Sequence, residues 1–341
     1  MAVLRAWGGI LTGYAPNLSI EITRECPLKC PGCYAYGDAH LGGGVLLREL
    51  ADFKGQELID GVLKVVREHK PVGVSIVGGE PLVRFRELET ILPELTRMGI
   101  HSQVVTSAVR PIPKAWATLK NLQVVVSIDG LQPEHDLRRA PATYDRILKH
   151  IAGQHITVHC TLTRQQARPG YVKEFTEFWA PNADVKHIWF SLYTPQIGED
   201  SPERLRPQDR ELLVREINAE YERHPKLHAM IPKLVREYLH PPASPDECLF
   251  AKTTTCLSAD LKHRITPCQY GGNPDCTQCG CMASVGFVAL GKVKFGGVPL
   301  KKIFNSSVAI GVGVSRLRRV VRGETDSASP RQSPANPAPM R

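Results

Sequence analysis

Three cysteines fall within eight positions of RECPLKCPGCYAY (24–36): Cys26, Cys30 and Cys33. A structural zinc site takes four ligands, often as two CxxC pairs, and a disulfide framework takes an even number in a small secreted chain. Three thiolates on one short loop can instead hold three irons of a four-iron four-sulfur cluster. The fourth iron then stays open, as a catalytic zinc keeps a position open for its substrate. Zinc remains an alternative for the triplet alone. A second group, SIVGGEPL (75–82), contains Gly78, Gly79, Glu80 and Pro81. Paired glycines let backbone approach a ligand closely, and their carbonyls and a carboxylate accept hydrogen bonds from an ammonium group. A third, VVVSIDGLQPEHDLRRAPATYDRI (124–147), brings Ser127, Asp129, His135, Arg138 and Arg139 together in the sequence. The planar fork of arginine suits a carboxylate.

The elements around these groups alternate. NLSIEIT, VGVSIVG, HSQVVTS, LQVVVSID, HITVHCTLT and KHIWFSLYT read as strands. Longer amphipathic runs, from LADFKGQELIDGVLKVVREH to RPQDRELLVREINAEYERH, read as the helices between and after them. Such alternation predicts parallel strands joined by crossover helices. Six strand–helix units fall short of the eight of a full barrel, so the expected α/β fold is a partial (β/α)6 barrel or an open parallel sheet. In both, function gathers at the carboxyl ends of the strands. The cysteine triplet, GGEP, Thr106–Ser107 and SIDG all follow strand ends.

The 341 residues, 42% of them hydrophobic, suffice for a large core with an appendage. Residues 1–17 read as a lead-in, 18–240 as the partial barrel and 241–285 as a cysteine-rich extension reached through PPASPDEC. Residues 286–323 form an apolar, basic segment without acidic residues. The Pro- and Ser-rich stretch 324–341 reads as a disordered tail. The start lacks a clear cleavage site, and no run reaches the roughly 18 apolar residues of a spanning helix. With ten cysteines this points to a reducing compartment, hence a cytoplasmic protein. The net charge of +9 suits a basic surface, an anionic membrane or an acidic substrate. No reader motif or aromatic-basic stripe points to nucleic acid.

The C-x3-C-x2-C spacing, GGEP and the SxDG…HDxxR stretch together resemble the radical S-adenosylmethionine (SAM) superfamily, in order and spacing over about residues 18–192. The resemblance implies that Cys26, Cys30 and Cys33 hold a SAM-binding four-iron cluster. It implies that Gly78, Gly79, Glu80 and Pro81 meet the SAM ammonium group, and that Ser127 and Arg139, or Arg138, hold its carboxylate. Tyr34 would place its backbone near the adenine, Thr106 and Ser107 would reach the ribose, and Asp129 and His135 would order their loop or reach substrate. Gly32 stands where the family often has an aromatic residue, and TSA (106–108) replaces a TNG-like segment. The implied chemistry is one-electron cleavage of SAM to methionine and a 5′-deoxyadenosyl radical, which takes a hydrogen atom from substrate.

CLFAKTTTCLSADLKHRITPCQYGGNPDCTQCGC (248–281) is similar to the cysteine-rich SPASM or twitch extensions of that superfamily. It implies an auxiliary four-iron cluster on Cys256, Cys268, Cys276 and Cys279, with Cys281 or Cys248 able to replace a member. Zinc is the alternative there too. Cys160, in a strand, reads as a buried hydrophobe. The expected substrate is a peptide or small metabolite. The alternatives are a lipid or isoprenoid at a membrane surface, suggested by the basic segment, and a non-catalytic iron–sulfur or zinc scaffold. An electron donor such as flavodoxin or ferredoxin, and peripheral membrane contact, complete the expected partners.

Overall fold

The computed structural model describes residues 2–37 and 39–321. The expected disordered tail, 324–341, lies outside the described residues. The six expected strands are β1 (Asn17–Glu21), β2 (Gly73–Val77), β3 (His101–Thr106), β4 (Leu122–Ile128), β5 (Ile156–Leu162) and β6 (Val185–Leu192). A seventh, β7 (Thr254–Leu257), lies within the segment read from the sequence as an extension. All seven run parallel in the order β6-β5-β4-β3-β2-β1-β7, so the sheet is a partial barrel whose edge strands are β6 and β7.

The helices are α1 (Ala2–Leu11), α2 (Gly55–His69), α3 (Phe85–Arg97), α4 (Glu134–Arg139), α5 (Tyr144–His150), α6 (Tyr171–Trp179) and α7 (Pro207–Arg223). They continue with α8 (Pro232–Val235), α9 (Leu249–Thr253), α10 (Met282–Lys292) and α11 (Leu300–Val321). A short hairpin of β8 (Lys294–Phe295) and β9 (Val298–Pro299) leads into α11. A 3-10 helix over Lys114–Thr118 follows Pro113. Helix α2 forms because Leu58, Val62, Leu63, Val65 and Val66 recur at helical spacing and bury one face. It stops where Lys70 turns left-handed (φ 50°) before Pro71.

Register decides what each sheet face carries, since directly paired residues of parallel strands share a face. Ile20, Ile76, Val104 and Val124 line up across β1 to β4, and Ile128, Cys160 and Phe190 across β4 to β6. These side chains pack with Leu58, Leu88, Ile91, Val172 and Phe175 of the helices in one core. Cys160 is fully buried in it, as a small hydrophobe. The opposite face is polar. Cys256, Ser19, Ser75, Gln103 and Gln123 pair in one row, Ser127, His159 and Trp189 in another, and Thr161 with Ser191 beyond. Parallel strands buried on both faces read as continuous aliphatic runs. These alternate instead, and Ser75, Gln103, Ser127, His159, Thr161 and Trp189 are only half-buried.

The cysteine-rich segment spans the gap between the two sheet edges. At one end β7 pairs with β1. At the other, the Gly280 carbonyl accepts from the Leu192 N–H (2.9 Å) and its own N–H donates to Thr194 Oγ1 (2.8 Å). A Cβ on Gly280 would lie 1.9 Å from the Leu192 carbonyl oxygen, so only glycine lets the loop 276–281 seat on the end of β6.

Candidate active site

The cysteine loop leaves the carboxyl end of β1 and is clamped to the end of β2. Gly78 and Gly79 have φ of +84° and +48°. A Cβ would lie 2.3 Å from the Glu21 Cβ at Gly78 and 2.3 Å from the Glu25 carbonyl oxygen at Gly79. The sequence suggested that these glycines admit a ligand. What the structure shows against them is β1 and the approach to the cysteine loop, fixed by a 2.8 Å bond from the Glu80 N–H to the Glu25 carbonyl. Arg84 braces the same junction from below, paired with Glu25 (3.0 Å) and Asp52 (2.8 Å).

Cys26, Cys30 and Cys33 are free and half-buried on this loop. They are near enough that charge on Cys30 or Cys33, and on Glu80, disfavours a thiolate at Cys26, though burial is the main cause that pushes Cys26 up to about 11. Burial also raises Cys30, against the pull of the Arg139 guanidinium beside it. Three soft sulfur donors on one loop, next to a fixed cation, fit three corners of an iron–sulfur cluster, which holds them as thiolates.

Glu80 is buried to 1% exposure at the heart of the strand ends. Its carboxylate accepts from the Leu82 N–H (2.9 Å), the Ser107 N–H (2.7 Å) and the Thr106 hydroxyl. Burial pushes its pKa up, and those three donors together with Arg139 restrain the rise. Thr106 is thereby committed to Glu80 and to the Ala108 N–H. Ser107 accepts from Arg139 Nη1 at 2.9 Å.

Arg139 and Arg138 end α4 and converge on Asp129. Arg139 grips it with two nitrogens (2.7 and 3.2 Å), and Arg138 adds a third bond (2.9 Å). Burial alone would raise Asp129, but the guanidiniums hold it below the usual carboxylate value. Arg138 also donates to the Pro31 carbonyl inside the cysteine loop (3.2 Å) and pairs with Glu203. Arg139 faces Ser107 and the Cys30–Cys33 side of the loop. His135, fully buried, accepts from the Asp129 N–H (3.0 Å) on Nδ1 and sets Nε2 against the Ala142 carbonyl (2.7 Å). It orders the loop and is held neutral, its pKa lowered by burial. Ser127 stands beside His159 on the polar face.

Sequence reasoning did not single out two features. The polar face places His159 Nε2 2.8 Å from Ser191 Oγ, with burial lowering the imidazole to about 4, so it is neutral near pH 7. A buried relay also ties the two cysteine-bearing segments together. Ser258 donates to Glu21 (2.8 Å), whose other oxygen meets His40 Nε2 (2.7 Å), and His40 Nδ1 faces the Tyr270 carbonyl (3.1 Å). Burial works against protonating His40, yet the Glu21 carboxylate holds its pKa above the ordinary value. The Tyr34 ring packs edge-on against Tyr270 (5.3 Å) in the same seam. The visible signal was Glu21, a carboxylate at the end of a strand whose other polar residues, Asn17 and Ser19, are uncharged.

The second cysteine group differs from expectation in one member. Cys248, Cys268, Cys276, Cys279 and Cys281 line a single void with Thr194, Tyr270 and Ser284. Cys256 does not line that void; it lies on β7 beside Ser19, within reach of charge on Cys268. The reason is topological: Cys256 is drawn into the sheet, while the turn of α9 brings Cys248 back within 3.4 Å of Ser284. Among the described residues no three His, Cys, Asp or Glu side chains converge tightly enough to grip one metal ion. Five sulfurs around a common apolar void fit a wider, polynuclear group.

The sequence profile of the Radical SAM superfamily matches residues 20–160, which hold the cysteine loop, GGEP and the Asp129–Arg139 network. No curated protein matches the chain by sequence. Among solved structures, Streptococcus suis SuiB bound to S-adenosylmethionine is similar at 16% identity and a TM-score of 0.52, over 76% of this chain and 60% of that one. SuiB bound to precursor peptide SuiA aligns at 17% and 0.54, over 89% and 67%. Native anSMEcpe with bound AdoMet and Cp18Cys peptide aligns at 18% and 0.53, over 79% and 80%. The chain thus spans about 60% of the length of SuiB in the SAM-bound comparison, and at these identities the likeness is one of fold. Profile match, fold and geometry point the same way: residues 20–160 are similar to the Radical SAM superfamily, and the cysteine loop at the carboxyl end of β1 lies within them.

Proposed function

We propose that this chain is a SAM-dependent radical enzyme that acts on a peptide or another polar substrate. The observation that carries the reading is convergence. Three free thiols, the Glu80 carboxylate and the Arg139 guanidinium meet at one end of the sheet, above a polar, half-exposed face. Cys26, Cys30 and Cys33 would hold a four-iron cluster. With SAM bound, that group supplies one-electron cleavage to a 5′-deoxyadenosyl radical. Arg139, oriented by Asp129, holds a carboxylate on the cysteine-loop side, and Ser107 and the GGEP backbone offer polar contacts to the rest of SAM. Glu80 keeps the ends of β2 and β3 in register, so these groups stay fixed.

Substrate then lies against Ser127, His159, Thr161, Trp189 and Ser191. Hydroxyls, an imidazole and an indole suit amide or hydroxyl groups and would leave a buried hydrocarbon chain facing unpaired polar atoms. SuiB with its precursor peptide and anSMEcpe with its peptide, similar in fold, add support for a peptide. The five cysteines of the C-terminal void would hold an auxiliary cluster, and a flavodoxin- or ferredoxin-like protein would supply electrons. The test is 5′-deoxyadenosine release by the anaerobically reconstituted protein with SAM, a reductant, and either a host peptide fraction or a host lipid extract. Stimulation by the peptide fraction supports the reading. Stimulation by the lipid extract alone overturns the substrate class.

A further inference from the structure

Helix α11 is apolar on the side that faces solvent. Ile310, Val314, Leu317 and Val320 are 55%, 37%, 65% and 75% exposed, and their spacing places them on one stripe. The opposite side is used inside the molecule. Phe304 stacks on Trp7 of α1 (5.2 Å), and a Cβ on Gly311 would lie 1.9 Å from the Ile10 carbonyl oxygen, so α1 and α11 cross in close contact. Leu4 of α1 is 78% exposed. On the hairpin before α11, Phe295 is 75% exposed.

Positive charge predominates in the sequence of this segment, although Lys292 is paired with Glu237. Residues 276–323 contain eight Lys or Arg and no Asp or Glu. Lys301, Lys302 and Arg316 are exposed on α11. Beside the apolar stripe, α1, the end of α2 and the end of α11 enclose a groove of about 710 Å³ lined by Arg5, Arg67, Lys70 and Arg318. No acidic side chain lines it, and none of these four makes an ion pair among the described residues. Lys70 and Arg318 stand over the Tyr14 ring at 5.6 and 4.9 Å. Leu4–Arg5 and Leu317–Arg318 are neighbours in sequence, so exposed apolar and groove-lining basic side chains come from the same helices.

We propose that the α1–α11 face docks on an anionic phospholipid bilayer: the stripe enters the headgroup–acyl boundary, and the groove receives a lipid phosphate. Apolar side chains flanked by cations bind this way, and a contiguous exposed apolar stripe marks a contact surface. Tyr14, Pro71 and Ile100 of the groove precede β1, β2 and β3. The docked face is therefore at the amino ends of the strands, away from the cysteine loop. Docking anchors the protein and does not depend on the function proposed above.

The experiment is co-sedimentation of the full chain with phosphatidylcholine vesicles, with or without phosphatidylglycerol, at low and high salt. Binding should require phosphatidylglycerol and weaken with salt. Ile310→Glu with Leu317→Glu, and separately Arg5→Glu with Arg318→Glu, should each reduce it at least about tenfold while melting and background SAM cleavage stay as in the parent. Inorganic phosphate at matched ionic strength should compete only weakly. Absence of binding to phosphatidylglycerol vesicles, equal binding to neutral vesicles, or full binding by both variants would overturn the proposal. A dimer that Leu317→Glu dissociates, without vesicle binding, would overturn it too and assign the face to a second copy.

Discussion

Replacing Glu80 with Gln isolates what this carboxylate does before any ligand arrives. Both oxygens accept backbone N–H groups, Oε1 from Leu82 at 2.9 Å and Oε2 from Ser107 at 2.7 Å. An amide of the same shape has one oxygen. Whichever way it turns, its NH₂ confronts one of these buried donors. Leaving one buried N–H unsatisfied costs about 1–3 kcal/mol. In a domain of this size that lowers Tm by roughly 2–12 °C, at about 2–4 °C per kcal/mol. The assay is thermal unfolding of the metal-free protein without SAM, followed by circular dichroism. Glu80→Gln should melt lower than the parent, and Glu80→Asp should not restore it, because the shorter side chain cannot reach both N–H groups. An unchanged Tm in the metal-free protein would refute the argument and make Glu80 a ligand-binding group only.

Other consequences are equally open to measurement. Arg139→Lys removes the two-nitrogen grip on Asp129 and the bond to Ser107, so SAM affinity by equilibrium dialysis should fall about tenfold or more, the worth of a charged hydrogen bond of about 1.5–3 kcal/mol. Arg138→Lys, which faces Pro31 and Glu203, should change it far less. Iron and sulfide analysis after anaerobic reconstitution should show the double variant Cys276→Ser with Cys279→Ser, which leaves three sulfurs on the void, losing about four irons per chain and Cys256→Ser losing none, if the void holds one cluster. His228, 3% exposed and stacked on Phe190, has its pKa lowered by burial from 6.5 to about 4. The unfolded chain then binds the extra proton between those values, so stability is full above pH 6.5 and is lost as pH falls toward 4. The contribution is about 3 kcal/mol at 1.36 kcal/mol per unit. Denaturant titrations across that range should show the slope, and His228→Gln should reduce it without abolishing it, because His159 is lowered over the same range.

The six strands and most of the helices were legible because the outward aliphatic residues alternate with polar ones, and because helices α2, α3, α6 and α7 carry clear 3.6-residue periodicity. Strand β7 was not, since TTCL is four residues long and its partner β1 lies far away in sequence. The same distance hid that Cys248, not Cys256, lines the C-terminal void: spacing along the chain does not say which cysteine a sheet absorbs. The roles of Gly78 and Gly79 depend on what the fold puts against them, here Glu21 and Glu25. Cys26, Cys30, Cys33, Glu80, Asp129 and Arg139 were named from the sequence, and the structure gathers them at the strand ends. His159, Ser191 and the Glu21–His40–Ser258 relay are polar groups in ordinary strand and loop context, and only register and burial make them stand out.

The measurement that bears most directly on the central claim compares 5′-deoxyadenosine release by the parent and by Cys30→Ala, both reconstituted with iron and sulfide under strict anaerobiosis and given SAM and a strong reductant. Release by the parent and none by Cys30→Ala is the predicted result. Equal release by both, or none from a parent with a full iron complement, would contradict the assignment of the cysteine loop.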